Sequence, residues 1–213
     1  MAEELSKKEQ QRRFLSGYSY AFDGSPKRRN WKKIFALWYP AASNGHKRAQ
    51  FYVGTCYDYG KGVEKNTEEA FYWYLKAAMQ GHMDAQFNVG LFFKTGEYVN
   101  QDYGKAIAWF MRSAKQGGIE AWRELGYSYF YGQGVAEDHQ KAVYWYRMAA
   151  GKQDLKAVYN LALCYKWGDG VVQSDRWAKY YFEKAGKEGH KRALRQLKNY
   201  VQPEERREGK CCF

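Results

Sequence analysis

The sequence is poor in the residues that usually carry chemistry. Four histidines occur in 213 residues. His46, His82 and His190 each follow a glycine and are strung far apart, whereas a metal needs ligands that converge in space. His139 has no evident partner. No apolar run approaches the ~18 residues of a membrane helix. Met1 to Arg13 is charged throughout, so a signal peptide is not expected and the cytoplasm is the default compartment. Glycine-rich stretches are present, but no Gly-Lys-Ser/Thr follows them at nucleotide-binding spacing and no strand precedes them, so they are not phosphate cradles. Carboxylates are plentiful, yet nothing pairs two of them for acid–base work. A non-catalytic protein with no metal and no cofactor is the expectation.

What is there is a repeat. An alanine opens each copy, at Ala49, Ala85, Ala121 and Ala157, with a truncated copy at Ala193, and the spacing is 36 residues throughout. A fixed period of that size marks a helical array rather than one globular core. In the third copy Ala121, Leu125, Gly126 and Tyr129 share one helical face. The glycine (Gly54, Gly90, Gly126) costs roughly 1 kcal/mol of helix propensity, which implies close approach of a neighbouring helix backbone. Ala162 takes this place in the fourth copy. A loop follows, Gly60-Lys61-Gly62-Val63, Gly132-Gln133-Gly134-Val135 and Gly168-Asp169-Gly170-Val171, whose first glycine suits the left-handed position that ends a helix. Asn66, Asp102, Asp138 and Ser174, all N-cap types, begin the second helix. Its apolar face is Ala142, Trp145, Tyr146, Ala149 and Ala150, repeated as Ala70, Trp73, Tyr74, Ala77 and Ala78.

This unit resembles the Sel-one-like repeat family, relatives of tetratricopeptide repeats. The residues that carry the resemblance are the Ala…Leu-Gly…Tyr helix, the Gly-x-Gly-Val loop and the Ala…Trp-Tyr…Ala-Ala helix. The resemblance implies an all-α, right-handed α/α superhelix, a solenoid of about eleven helices, and a role in holding partner proteins. The expected domains are a polar leader over 1–12, a degenerate capping repeat over 13–48, full repeats over 49–84, 85–120, 121–156 and 157–192, a capping helix over 193–202 and a mobile tail over 203–213. Some secreted relatives with cysteine pairs in each repeat are linked to β-lactam binding or hydrolysis; this chain lacks those pairs, and that reading ranks last.

Cysteine usage fits the array. Cys56 and Cys164 lie three repeats apart, beyond disulfide reach, and read as small core residues. Cys211 and Cys212 make no prenylation box, because Lys210 stands fourth from the end; a modified tail is the alternative to an incidental exposed one.

In the capping repeat Phe14, Tyr18 and Phe22 take the first helix and Gly24-Ser25-Pro26 the loop, while Pro40 is expected to kink the second helix. Tyr98 replaces the second loop glycine of the second copy. Gln153 replaces the closing glycine of the third, which suggests a looser joint. The net charge is +12. It is concentrated in residues 1–48, around Lys27, Arg28, Arg29, Lys32 and Lys33, a field that suits nucleic acid, an anionic membrane or an acidic protein.

In the related tetratricopeptide arrays the first helices line a concave face. The corresponding positions here hold Phe51, Thr55, Asp58 and Tyr59; Phe87, Leu91, Lys94 and Thr95; Arg123, Tyr127, Phe130 and Tyr131; Tyr159, Leu163, Lys166 and Trp167; then Arg195. Aromatic and arginine anchors are the usual hot spots of interfaces. The expected partner-binding residues are Lys94, Arg123, Tyr127, Phe130, Tyr131, Tyr159, Lys166, Trp167 and Arg195, with the cations clamping carboxylates of an acidic protein or peptide. A monomer is favoured. The alternative is a nucleic-acid or anionic-surface binder that uses the basic cap.

Overall fold

A computed structural model describes residues 4–23 and 29–200. Gly24, Ser25, Pro26, Lys27 and Arg28, and the tail from Pro203 through Cys211 and Cys212, lie outside the described residues. Among the described residues there are eleven α-helices and no strand. They are α1 (Lys7–Phe22), α2 (Trp31–Ser43), α3 (Lys47–Tyr59), α4 (Thr67–Met79), α5 (Met83–Thr95), α6 (Tyr103–Lys115), α7 (Ile119–Tyr131), α8 (His139–Gly151), α9 (Leu155–Trp167), α10 (Asp175–Lys187) and α11 (Lys191–Leu197). A short 3-10 turn over Lys198–Tyr200 follows. The chain divides into two compact units, residues 1–118 and 119–213. In unit 1 the main packing is between consecutive helices from α1 to α6; in unit 2 it is between consecutive helices from α7 to α11.

Local chemistry sets the helix ends. Asn66, Asp102, Asp138 and Ser174 each accept a hydrogen bond from the backbone N–H three residues on, the N-cap bond expected of them. Gly60, Gly96 and Gly168 end α3, α5 and α9 in the left-handed conformation that a Cβ disfavours. First and second helices then meet through the helical glycine, where the neighbouring backbone comes close as expected: a Cβ on Gly90 or Gly126 would stand 3.2 Å from the Ala106 or Ala142 carbonyl oxygen, and an aromatic ring comes closer still. A Cβ on Gly54 would stand 2.8 Å from the Tyr74 ring, and one on Gly90 or Gly126 2.5 Å from Phe110 or Tyr146. The glycine is a socket for an aromatic ring of the following helix. Ala162 is fully buried in the fourth copy.

From Leu5 on, the expected polar leader is anchored to the first repeat. Ser6 caps α1 through the Glu9 amide, Leu5 is buried, and the Leu5 N–H donates to Asn44 Oδ1 at 2.8 Å. The helix α1 is also out of phase by one residue. Gly17, not Tyr18, is the socket for Trp38, and the Trp38 Nε1–H donates to the Phe14 carbonyl at 3.2 Å. Pro40 does not break α2, which continues to Ser43. It lies in the last turn, where little helix remains to be disturbed.

The joint at Gln153 keeps the repeat's turn. Gln153 takes φ 64°, a positive value like the 81–94° of Gly45, Gly81, Gly117 and Gly189 at this turn in the other repeats. Its N–H donates to the Ala150 carbonyl at 3.0 Å and that of Asp154 to Ala149 at 3.2 Å. The equivalent turn at Gly81 and His82 makes the same pair of bonds, to Ala78 and Ala77.

Candidate partner-binding faces on the first helices

The first helices α3, α5, α7 and α9 end on a glycine turn, so the two residues before it are presented at the helix end. In unit 1, Tyr59 is 67 % exposed there; in unit 2, Tyr131 is 56 % and Trp167 64 % exposed. These three share one repeat position, and Thr95 takes it in the second copy. Tyr131 and Trp167 are among the residues expected to contact a partner, and Tyr59 stands at the same repeat position.

In unit 2 the predicted residues divide into two groups. Tyr127 and Tyr131 stand with ring centroids 4.4 Å apart, and Phe130 lies edge-on to Tyr131 at 5.0 Å. Phe130 is half-buried and stacks on His139 at 4.5 Å. His139, which lacked an evident partner in the sequence, has this ring and the Glu137 carboxylate, 3.1 Å from its Nε2. Lys166 donates to Gln196 Oε1 at 2.8 Å, and its ammonium lies 4.9 Å from the Trp167 ring. Arg195 is exposed at the end of α11. Tyr127, Tyr131, Lys166, Trp167 and Arg195 thus remain as candidate contact residues.

Arg123 and Tyr159 serve the repeat itself. The Arg123 guanidinium donates a short hydrogen bond to Asp154 Oδ2, while Asp154 Oδ1 accepts from the Ala157 amide at 2.7 Å and caps α9. Both side chains are largely buried, at 16 % and 12 % exposure. Tyr159 stacks on His190 at 4.6 Å. Arg123 is therefore an internal brace, because its charge is neutralised within the chain.

In unit 1 the same geometry holds with other residues. Phe51 stacks on His82 at 4.5 Å and Phe14 on His46 at 4.7 Å. His46, His82 and His190 are N-caps whose Nδ1 accepts from Ala49, Ala85 and Ala193 at 3.1, 3.4 and 3.2 Å. Burial holds all three below the usual histidine pKa. The Tyr74 hydroxyl donates to Asp58 Oδ2 at 3.1 Å, and burial pushes its pKa well up. A pocket of 180 Å³ opens beside this bond, between α3 and α5, with Tyr59, Leu91 and Glu97 among its walls. Lys94, a predicted contact, is half-buried at the end of α5. The sequence pattern placed Asp58 on this face without assigning it a role, and missed Glu97, which stands on the loop after the helix.

Of the basic cap, Arg29, Lys32 and Lys33 are described. Lys32 and Lys33 are exposed. Lys33 lies 4.1 Å from the centre of the Tyr20 ring and donates to its hydroxyl at 3.0 Å, which lowers the Tyr20 pKa. No helix among the described residues is long and apolar enough to cross a membrane. Among the same residues no three His, Cys, Asp or Glu side chains stand together as a metal set.

Comparison with known proteins agrees with the helical repeat fold. The family model described as Sel1 repeat matches four times, over residues 47–82, 84–118, 120–154 and 155–190. Those bounds follow the expected repeats with a shift of about two residues. A crystal structure of a Sel1 repeat protein from Oxalobacter formigenes superposes with a TM-score of 0.80 at 33 % identity, covering 88 % of this chain and 76 % of that one. A second is c5321, a protective antigen present in uropathogenic Escherichia coli strains that displays an SLR fold. It superposes with a TM-score of 0.81 at 29 % identity; 87 % of this chain is covered but only 39 % of that protein. The immunity protein Pa5087 from Pseudomonas aeruginosa shares the fold alone, at 21 % identity and a TM-score of 0.56 over 89 % of this chain and 69 % of that one. No curated protein sequence matches the chain.

Proposed function

The chain belongs to the Sel1 repeat family, and we propose that it is a non-catalytic cytoplasmic scaffold or adaptor that holds a protein or peptide on its first-helix faces. Proteins of this family generally mediate protein–protein interaction, and the fold is their α/α solenoid. One observation carries the reading: Tyr131 and Trp167, large rings at the same position of successive repeats, are more than half exposed in unit 2. Such rings are costly to leave in water and are typical anchors of interfaces. Tyr127 beside Tyr131, and Lys166 beside Trp167, give each ring a neighbour that contributes aromatic surface or charge. Arg195 and Lys166 supply cations for carboxylates of the partner.

A pull-down from nuclease-treated lysate, run at low and high salt, tests this. The baits are the wild-type chain and a Tyr127→Ala, Tyr131→Ala, Trp167→Ala variant whose folding is checked by circular dichroism. A protein partner that resists salt and is lost with the variant supports the reading. Binding that ignores the variant and vanishes with salt rejects it, and favours nucleic acid or an anionic surface at the basic N-terminal cap. The +12 net charge of the chain is the observation that keeps this second reading.

A further inference from the structure

We propose that the pocket between α3 and α5 is an anchor site for one cationic side chain of the protein partner, an arginine by preference. This rests on the first-helix face being the partner surface, and names the chemistry of its unit 1 portion. The pocket is 180 Å³ and is walled by Asp58, Tyr59, Asn88, Leu91, Thr95 and Glu97. Small-molecule sites run to roughly 300–1,000 Å³, so this one has room for a single side chain.

Its lining matches a guanidinium on a methylene stem. Asp58 and Glu97 are carboxylates, and among the described residues neither has a cation paired with it. The Asp58 carboxylate and the Glu97 backbone are held in place. Asp58 accepts from the buried Tyr74 hydroxyl at 3.1 Å. The Glu97 N–H donates to Thr95 Oγ1 at 3.4 Å, and that hydroxyl is tied to the Leu91 carbonyl at 3.0 Å. Leu91 offers apolar surface for the stem. The exposed Tyr59 ring offers a face on which a planar guanidinium stacks. The nearby cations do not fill the site. Lys61 lies 5.3 Å from the Tyr59 ring but also 4.9 Å from that of Trp31, and neither it nor Lys94 lines the pocket.

The other repeats do not preserve this arrangement. The Asp58 position holds Lys94, Phe130 and Lys166 in later copies, and the Glu97 position holds Lys61, Gln133 and Asp169. Residues that maintain the solenoid recur with its period or, like Arg123 with Asp154, neutralise each other within the chain; this acidic pair does neither. A feature confined to one joint, with two carboxylates unneutralised beside an exposed ring, is fitted to something outside the chain.

The test titrates 15N-labelled full-length protein with N-acetyl-arginine methylamide, followed by the amide signals of Asn88, Thr95 and Glu97. The neutral citrulline analogue is the isostere control. Saturable movement is expected with arginine and none with citrulline. Asp58→Asn and Glu97→Gln each weaken the arginine response by about tenfold, the worth of a hydrogen bond to a charged group. Asp58→Asn keeps an acceptor for Tyr74, and Glu97 is exposed on a turn, so unchanged signals elsewhere show that both variants fold. No saturable movement, an equal response to citrulline, or indifference to both substitutions overturns the proposal. If the probe fails while the aromatic variant still loses its partner, the anchor pocket falls and the scaffold reading stands. If the probe binds but the aromatic variant keeps its partner, the unit 2 face falls instead.

Discussion

Arg123 and Asp154 are joined by a short, largely buried ion pair at the place where other repeats stack an aromatic ring on a histidine. The separation is 31 residues in each case: Phe51 with His82, Arg123 with Asp154, Tyr159 with His190. One repeat position thus carries two chemical solutions to a single task, bracing a first helix against the N-cap of the next one.

A swap tests this equivalence. Asp154→Ala loses both the cap and the ion pair and is expected to cost about 3 kcal/mol. Asp154→Asn keeps a cap and costs less. Arg123→Phe alone leaves Asp154 without its cation, and Asp154→His alone strands Arg123. The double variant Arg123→Phe, Asp154→His rebuilds the stack seen at Phe51 and His82, and is expected to be more stable than either single. Urea midpoints for the four proteins form the cycle, and additive losses would reject the equivalence.

Acid should loosen the caps at His46, His82 and His190. Burial depresses these pKa values in the folded state, so the unfolded chain takes up protons first. The stability they contribute is full above the unfolded histidine value, about 6.5, and is lost as the pH falls through it. Protonation of Nδ1 in the folded chain would also remove the acceptor for Ala49, Ala85 and Ala193. The urea midpoint should drop between pH 7.5 and pH 5.5. His82→Asn, a cap that does not titrate, should start lower and show a flatter profile. Asp102 and Asp138, whose pKa values are lowered by their Lys105 and Lys141 neighbours, act in a separate window below that of the histidines.

Gln153 holds a left-handed conformation that costs a side chain about 1–2 kcal/mol, at φ 64°. Gln153→Gly should raise stability by about 1 kcal/mol, because the turn's hydrogen bonds are already those of the glycine repeats. An unchanged midpoint in thermal unfolding would show that the side chain repays its strain.

Gly126→Ala places a Cβ 2.5 Å from the Tyr146 ring and should cost about 1–3 kcal/mol by overpacking. In the fourth repeat the reverse change, Ala162→Gly, should also destabilise, by about 1 kcal/mol of helix propensity. Destabilisation by both of these reverse substitutions would show that the two sockets are packed differently; denaturant midpoints decide it.

Cys56 and Cys164 are buried free thiols whose pKa values burial pushes up to about 12. The thiolate is the reactive form, so alkylation at pH 8 should spare both in the native protein and proceed only on unfolding. Labelling of either in the native state at the rate of an exposed thiol would contradict the burial.

The repeat, the helix order and most helix ends were legible in the sequence because they depend on local chemistry. A period of 36 residues, glycines that tolerate positive φ and short polar N-caps all act within a few residues of where they stand. The use of each charge was not legible in the same way. Arg123 on the first-helix face looked like a hand offered to a partner, but its partner is Asp154, on the loop before the next first helix. The recurring pair of residues 31 apart would have disclosed it, since aromatic with histidine and arginine with aspartate replace each other. Gly17 stands one residue ahead of the place that the 36-residue period gives it, so phase alone did not single it out as the socket. Glu97 belongs to no helical face, so periodicity was blind to it. Side-chain direction and the placing of Asp58 and Glu97 on one pocket depend on tertiary packing. That packing decided which rings and charges face outward and which are spent inside.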